Sequence, residues 1–232
     1  MKLEEFCNRF GNFLEQKPET PRLFTEGGEL LKELISDPVW FGEFLGQLTY
    51  DSEFLKIQET SVYPNEITLY RSPDRSFSVL GYLWEPRTSS SIHDHGSWGI
   101  VGTLINQVRE KKYCRLDDGQ KDGYAELKEI STRLIKGGGT TSVLPLDEGI
   151  HLMEPVGDEW AVTISVYGKP VRRGYIQFFD LHGNQVSRVY HPRVFKQVLA
   201  IRALKSMPGL RVKEIPLPSL LQKLPDYLAK EL

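Results

Sequence analysis

The sequence predicts a mainly β protein, a sandwich or barrel with helices at both ends. Between residues 67 and 190, short runs rich in β-branched and aromatic residues alternate with turn signals, such as Ser-Pro-Asp at 72–74 and Lys-Gly-Gly-Gly at 136–139. Many short strands between tight turns are typical of sandwiches and barrels, and not of alternating strands and helices. The flanking segments instead carry apolar residues at helical spacing.

Three regions follow from these patterns. Residues 1–58 form a predicted N-terminal helical region, which we expect to pack on a barrel formed by residues 59–191. Residues 192–232 form a predicted C-terminal helical extension. Because a chain of 232 residues can bury one sizeable core, we expect a single compact domain overall.

The individual elements can be placed in order along the chain. Pro18 and Pro21 separate the first helix from the second, because proline lacks the amide hydrogen that a helix interior needs, and Asp-Pro at 37–38 marks a further boundary. Helical spacing returns at 194–201 and again in a leucine-rich stretch at 220–228. The predicted strands are 67–71, 76–84, 98–116, 124–135, 140–144, 159–167, 175–180 and 186–190.

The composition is that of an ordinary globular protein. With 26% charged residues and a net charge of -2, we expect neither nucleic acid nor a membrane as a partner. Two cysteines, Cys7 and Cys114, are too few for a disulfide scaffold. The first residues are acidic where a signal peptide is apolar, and we therefore expect a cytoplasmic protein. The helical ends contain enough leucine for a dimer interface but can equally pack on the barrel, so we expect a monomer or a homodimer.

Three of the five histidines form one candidate metal site. His93 and His95 are two residues apart, so both can point to the same side of one strand, and His151 can come from a neighbouring strand. Three imidazoles would leave coordination positions open, as a catalytic metal requires, and would suit iron, zinc, copper or nickel. The alternative is that His93 and His95 are exposed and His151 is a core residue. Three histidines in this arrangement favour the metal site.

Several motifs resemble the thiol dioxygenases, the cysteine dioxygenase family of cupins. The resemblance covers about residues 60–182 and rests on Ser-Ser-Ile-His-Asp-His at 90–95, Gly-Ile-His at 149–151 and Phe-Phe-Asp at 178–180. It implies a cupin double-stranded β-helix, a jelly-roll barrel, in which the three histidines hold Fe(II). It further implies that the partners are a small thiol and O2, and that the thiol sulfur is oxidised to a sulfinate.

The resemblance is stronger to the mercaptopropionate dioxygenase branch. An early arginine that binds the substrate carboxylate in the mammalian enzymes is absent from the stretch 63–66, of which Asn65 is assigned to substrate binding. The mercaptopropionate branch instead has a Val-Arg-Arg segment, found here at 171–173. Because a guanidinium suits a carboxylate, Arg173 is the expected anchor and Arg172 the reserve. The alternative is a pair of solvated turn arginines.

The family's Ser-x-His-x-Tyr network corresponds to Thr163, Ser165 and Tyr167, which alternation places on one face of a strand. These three are the predicted catalytic residues. Tyr167 can donate a hydrogen bond to bound oxygen or to a substrate carboxylate. Ser165 replaces the family's histidine, so we expect an altered substrate, a slower rate or a water in place of the ring. The alternative for Tyr167 is an aromatic residue at the barrel end.

Other residues near the histidines receive weaker assignments. Trp98 is expected to wall the substrate pocket, although a core tryptophan has the same pattern. Asp94 is expected to be an exposed strand carboxylate facing away from the metal, and the alternative is a role in supporting the ligands from behind. Glu110 and Glu154 are expected to be solvated, and the alternative is that they reach the site.

The expected function is therefore an Fe(II)-dependent dioxygenase of cysteine or a 3-mercaptopropionate-like thiol. Two alternatives stay open: a three-histidine cupin that cleaves a carbon-carbon bond of a diketone-like substrate, and a non-catalytic cupin that binds a metal or ligand.

Overall fold

The structure is a computed structural model that describes residues 1–58, 61–172 and 174–206. Two earlier predictions lie outside these residues: the Arg173 anchor and the leucine-rich stretch at 220–228. The helices are α1 Leu3–Glu15, α2 Thr20–Ile35, α3 Val39–Tyr50, α4 Ser52–Lys56 and α5 Pro192–Ser206. The strands are β1 Glu66–Arg71, β2 Phe77–Trp84, β3 Ile92–His95, β4 Gly99–Ile105, β5 Gln107–Arg115, β6 Leu127–Lys136, β7 Thr140–Val143, β8 Leu146–Pro155, β9 Ala161–Gly168, β10 Tyr175–Asp180 and β11 Gln185–Tyr190.

Two antiparallel sheets form the body of the protein. One has the strand order β1-β2-β9-β4-β7 and the other β11-β10-β3-β8-β5-β6. From β3 to β10 the chain passes repeatedly from one sheet to the other. Trp84 and Val101 of the first sheet share a buried cluster with Val108 and Met153 of the second, so the sheets pack face to face. The predicted mainly β class, with a cupin double-stranded β-helix, N-terminal helices and a C-terminal helix, is confirmed.

Apart from shifts of one to three residues at strand ends, the strands differ from the prediction at three places. The predicted strand 98–116 is two strands, because Asn106 adopts a left-handed conformation, φ 59°, and turns the chain between β4 and β5. Strand β3 was missed because it is only four residues long and mostly polar. Strand β8 was missed because Asp147, Glu148 and Gly149 interrupt its apolar pattern.

The N-terminal helices cover the outer face of the five-stranded sheet. Phe6 and Phe10 of α1 and Leu31 of α2 join a buried cluster with Ile100 and Ile164 of the sheet. The five-stranded sheet is therefore buried on both faces, by the helices outside and by the second sheet inside.

The C-terminal helix begins where the barrel ends. Val198 and Ile201 of α5 pack with Tyr190, the last residue of β11. Among the described residues, no helix combines the length with the apolar character that a membrane crossing requires.

Candidate metal centre

His93, His95 and His151 meet inside the barrel, as their spacing predicts. One ring nitrogen of each lies within 4.8 Å of the others, and all three side chains are buried. Their positions follow from strand pairing: His93 on β3 lies directly opposite His151 on β8, and a register shift follows before His95. The three histidines form a metal-binding triad, and the alternative of exposed His93 and His95 is wrong.

Each imidazole is fixed from behind by its Nδ1 atom. The His93 Nδ1 donates to the Ser91 carbonyl at 2.8 Å, and the His95 Nδ1 to the Gly149 carbonyl at 3.1 Å. Since a carbonyl can only accept, these bonds require the hydrogen on Nδ1 and leave the Nε2 lone pair for a metal. The His95 Nε2 is buried and has no hydrogen-bond partner among the described residues. A bound metal would satisfy it.

The electrostatics of the site also favour metal binding. Burial, followed by the neighbouring His151, lowers the pKa of His93 to about 3. The same two causes, burial first, lower the pKa of His95 well below its usual value. Neutral imidazoles are the form that ligates metals, so the lowered pKa values of His93 and His95 keep these two rings ready to bind a divalent transition metal.

Glu110 on β5 supports the third ligand. The His151 Nδ1 donates to its carboxylate at 3.0 Å, and the carboxylate also accepts from Arg133 at 2.8 Å and Thr141 at 2.9 Å. Burial would raise the pKa of Glu110, but the bond from His151 and the charges of Lys112 and Arg133 lower it to about 2. The side chain is 0% exposed, so the prediction of a solvated Glu110 is wrong.

Asp94 lies between the two ligands of β3 and is tied down by Arg172. The Arg172 guanidinium reaches both carboxylate oxygens at 2.6 Å, and the Gln177 backbone amide donates to one of them at 2.7 Å. Asp94 is 1% exposed, so the prediction of an exposed carboxylate is wrong. Arg172 was predicted as the reserve partner of a substrate carboxylate, but in the structure it binds the carboxylate of Asp94. The alternative that Arg172 is a solvated turn residue is also wrong.

The predicted catalytic strand β9 brings Tyr167 and Ser165 to the site. The Tyr167 ring stacks on His95 with centroids 5.7 Å apart. Burial raises the pKa of Tyr167 to about 12, against the opposing effect of hydrogen bonds with Ser165 and Tyr82. Thr163 instead accepts a hydrogen bond from the Trp84 indole at 3.0 Å, so its hydroxyl is engaged away from the histidines.

Two predicted substrate residues lie elsewhere. Trp98 packs against Phe10 of α1, with centroids 6.4 Å apart, and against Gly168, in the core between helices and sheet. The prediction that Trp98 walls the pocket is therefore wrong. The Asn65 amide donates to the Leu83 carbonyl at 3.0 Å and joins the start of β1 to β2.

The sequence reasoning missed an aromatic group beside His93. The Tyr63 ring lies 5.4 Å from His93, 5.8 Å from Phe178 and 6.2 Å from Tyr82, measured between centroids. The Tyr63 hydroxyl is buried and has no hydrogen-bond partner within the described part of the chain. A signal was present, because Tyr63 lies in the stretch 63–66, where the sequence resemblance led us to look for substrate-binding residues. These rings form one wall of the site.

Comparison with known proteins concerns the fold. No protein-family model matches the chain. Similar solved structures include a Cupin 2 conserved barrel domain protein from Salinispora arenicola, with 17% identity, 44% of this chain and 73% of that chain covered, and a TM-score of 0.33. A cupin-like protein from Thermotoga maritima has 12% identity, coverage of 60% and 92%, and a TM-score of 0.35.

A third similar structure is the oxalate decarboxylase of Bacillus subtilis, whose structure was described for its Mn(II) centres. It has 16% identity, 51% of this chain and 29% of that chain covered, and a TM-score of 0.35. Similarity at this level does not extend to activity. The assignment of the cupin architecture rests on the sheet topology of this chain.

Proposed function

We propose that the protein is an Fe(II)-dependent dioxygenase that oxidises the sulfur of a small thiol to a sulfinate. The observation that carries the proposal is the buried face of three imidazoles, His93, His95 and His151, with the Tyr167 ring stacked on His95. A neutral ligand set suits an anionic thiolate, because the thiolate supplies the negative charge that a ligating carboxylate gives in related iron sites.

The three Nε2 atoms would hold the metal. Fe(II) bound there would supply a redox-active centre at which thiolate and O2 come together. Glu110 keeps the His151 ring in one orientation and increases its basicity by accepting the Nδ1 hydrogen.

Tyr167 provides a proton-bearing group beside the ligands. Since burial raises the pKa of Tyr167 to about 12, its hydroxyl stays protonated at neutral pH and can donate a hydrogen bond. Ser165 holds the hydroxyl by a hydrogen bond but cannot exchange a proton near neutral pH as a histidine would. We expect Tyr167 to orient the reacting groups and not to act as a base.

The reaction balances without a further reductant. The S–H bond of the thiol breaks and its proton leaves to solvent. Both oxygen atoms of O2 form bonds to sulfur, and the sulfur supplies all the electrons that reduce O2. The product is a sulfinate.

The test is O2 consumption by the anaerobically Fe(II)-loaded protein with cysteine, 3-mercaptopropionate, cysteamine or mercaptosuccinate. We expect saturable uptake with at least one thiol and a sulfinate product detected by mass spectrometry. His151→Ala should lose both iron and turnover. His182→Ala is the matched control, because His182 is an exposed turn residue away from the triad.

Two results would contradict the proposal. One is turnover that survives His151→Ala. The other is no thiol-dependent O2 uptake by fully loaded protein, and uptake with a diketone in that case would favour the carbon-carbon cleaving alternative.

A further inference from the structure

A carboxylate, Glu66, lies on the inner face of the barrel next to the aromatic wall. On β1 the neighbouring Ile67 packs into the cluster under the helices, so alternation directs Glu66 to the opposite face. Glu66 pairs with Tyr82 across β1 and β2, and the Tyr82 hydroxyl donates to its carboxylate at 2.8 Å. A negative group is thereby held at the wall of the candidate substrate site.

Glu66 is linked to the metal ligands through two aromatic rings. Tyr82 lies 6.2 Å from Tyr63, and Tyr63 lies 5.4 Å from His93, measured between centroids. The carboxylate is therefore joined to the ligand His93 by a chain of ring contacts.

The negative charge of the buried Glu66 carboxylate is not fully balanced by the groups around it. Burial raises its pKa, and this effect exceeds the opposing hydrogen bonds from Tyr82 and Ser61 and the opposing charges of Arg71 and His191. A cation brought by a ligand would complete the compensation.

We propose that Glu66 binds the ammonium group of a small aminothiol whose sulfur is placed at the three histidines. The inference rests on the proposed function, which places the sulfur of the substrate at the metal. It adds which residue of the protein binds the amino group at the opposite end of the substrate. A carboxylate and an ammonium form a charge-assisted hydrogen bond, and the faces of Tyr63 and Tyr82 can attract the same cation. The Tyr63 hydroxyl, which has no hydrogen-bond partner among the described residues, can accept a hydrogen bond from the ammonium group.

A carboxylate-bearing thiol fits this wall less well. Glu66 would repel it, and two of the residues assigned to bind it are engaged within the protein. Arg172 is held by Asp94, and the Asn65 amide by the Leu83 carbonyl. The site therefore favours a substrate with positive charge over the carboxylate substrate that the sequence resemblance implies.

The test is anaerobic titration calorimetry of Fe(II)-loaded protein with three thiols of similar size: cysteamine, ethanethiol and 3-mercaptopropionate. We expect cysteamine to bind most tightly and 3-mercaptopropionate most weakly. Glu66→Gln should weaken cysteamine binding by about tenfold or more, leave ethanethiol unchanged and strengthen 3-mercaptopropionate. Glu43→Gln, an exposed residue of α3, is the matched control.

A second variant keeps the test decisive if Glu66→Gln loses metal. Tyr63→Phe removes only the hydroxyl and should weaken cysteamine binding more than ethanethiol binding. Tighter binding of 3-mercaptopropionate than of cysteamine, or equal losses for cysteamine and ethanethiol in both variants, would overturn the inference.

The two proposals fail in different ways. Glu66-dependent cysteamine binding without O2 uptake would support the ammonium site and contradict the dioxygenase. Oxidation of 3-mercaptopropionate unaffected by Glu66→Gln would support the dioxygenase and contradict the ammonium site.

Discussion

His93 and His151 lie directly opposite each other across β3 and β8, with ring centroids 4.8 Å apart. Two of the three metal ligands are thus placed by one cross-strand pair, while His95 enters after a register shift. The positions of the ligands are set by backbone pairing, and the directions of their rings are set by the groups behind them. Each of these determinants can be tested separately.

Replacing Glu110 by Gln should weaken metal binding without unfolding the protein. The amide oxygen can still accept the His151 hydrogen, but it lacks the negative charge that increases the basicity of the ring. We expect a loss of about 10- to 100-fold in metal affinity, measured by competition with a chelator. Glu154→Gln, which alters a carboxylate paired with Arg109 on the neighbouring strand, should leave the affinity unchanged. Equal affinities for Glu110→Gln and wild type would contradict the role of Glu110.

Gly99→Ala should displace the Tyr167 ring. A Cβ atom at Gly99 would lie 2.6 Å from the Tyr167 Cε1 and 2.9 Å from a Val143 methyl group, so the ring must move from its place on His95. We expect turnover to fall by about 100-fold with normal metal content. Gly42→Ala on α3 is the control, because no atom in the described part of the chain lies within 4 Å of the added methyl group. Unchanged turnover in Gly99→Ala would exclude a catalytic role for the Tyr167 position.

Arg172→Ala should destabilise the protein by about 3 kcal/mol, because it leaves the buried Asp94 carboxylate without its guanidinium partner. Adding Asp94→Asn should recover part of the loss. Arg87→Ala removes an exposed ion pair with Asp158 and should cost about 1 kcal/mol or less. The measurement is chemical unfolding of the wild type and the three variants. A cost for Arg172→Ala no larger than for Arg87→Ala would show that the Asp94 pair contributes little.

Cys7 should make the protein less stable at high pH. Burial raises the pKa of its thiol from 9.0 to about 12, so above pH 9 the unfolded chain loses a proton that the folded protein retains. The free energy of unfolding should therefore fall with rising pH between these values, by about 1.4 kcal/mol per pH unit from this group. Cys7→Ala should remove that part of the slope, whereas Cys114→Ala should keep it. Identical pH dependences for wild type and Cys7→Ala would contradict the assignment.

The metal triad could be predicted from the sequence because its determinants are local. His93 and His95 need only one strand, and the third ligand needs one neighbouring strand. Glu110 could not be predicted, since it lies in the charged run 109–112. The register of β5 and β8 places Lys112 opposite His151, and Glu110, two residues away along β5, reaches the His151 ring diagonally.

Trp98 shows why the substrate residues were harder to predict. The five-stranded sheet is buried on both faces, so an apolar ring fits equally well toward the helices or toward the barrel interior, and periodicity cannot distinguish the two. Tyr63 and Glu66 reach the site only through the pairing of β1 with β2 and the packing of rings distant in sequence. The ligands were therefore predictable, whereas the walls of the site required the fold.

The hydrogen bonds behind the three imidazoles have a consequence for how a metal enters. Ser91, Gly149 and Glu110 hold the rings in place without help from an ion. The histidine side chains then lose little conformational entropy when a metal binds, so ordering them costs little free energy. Which metal is incorporated then depends on the supply of each ion and on its exchange rate at a preformed site, more than on refolding of the polypeptide.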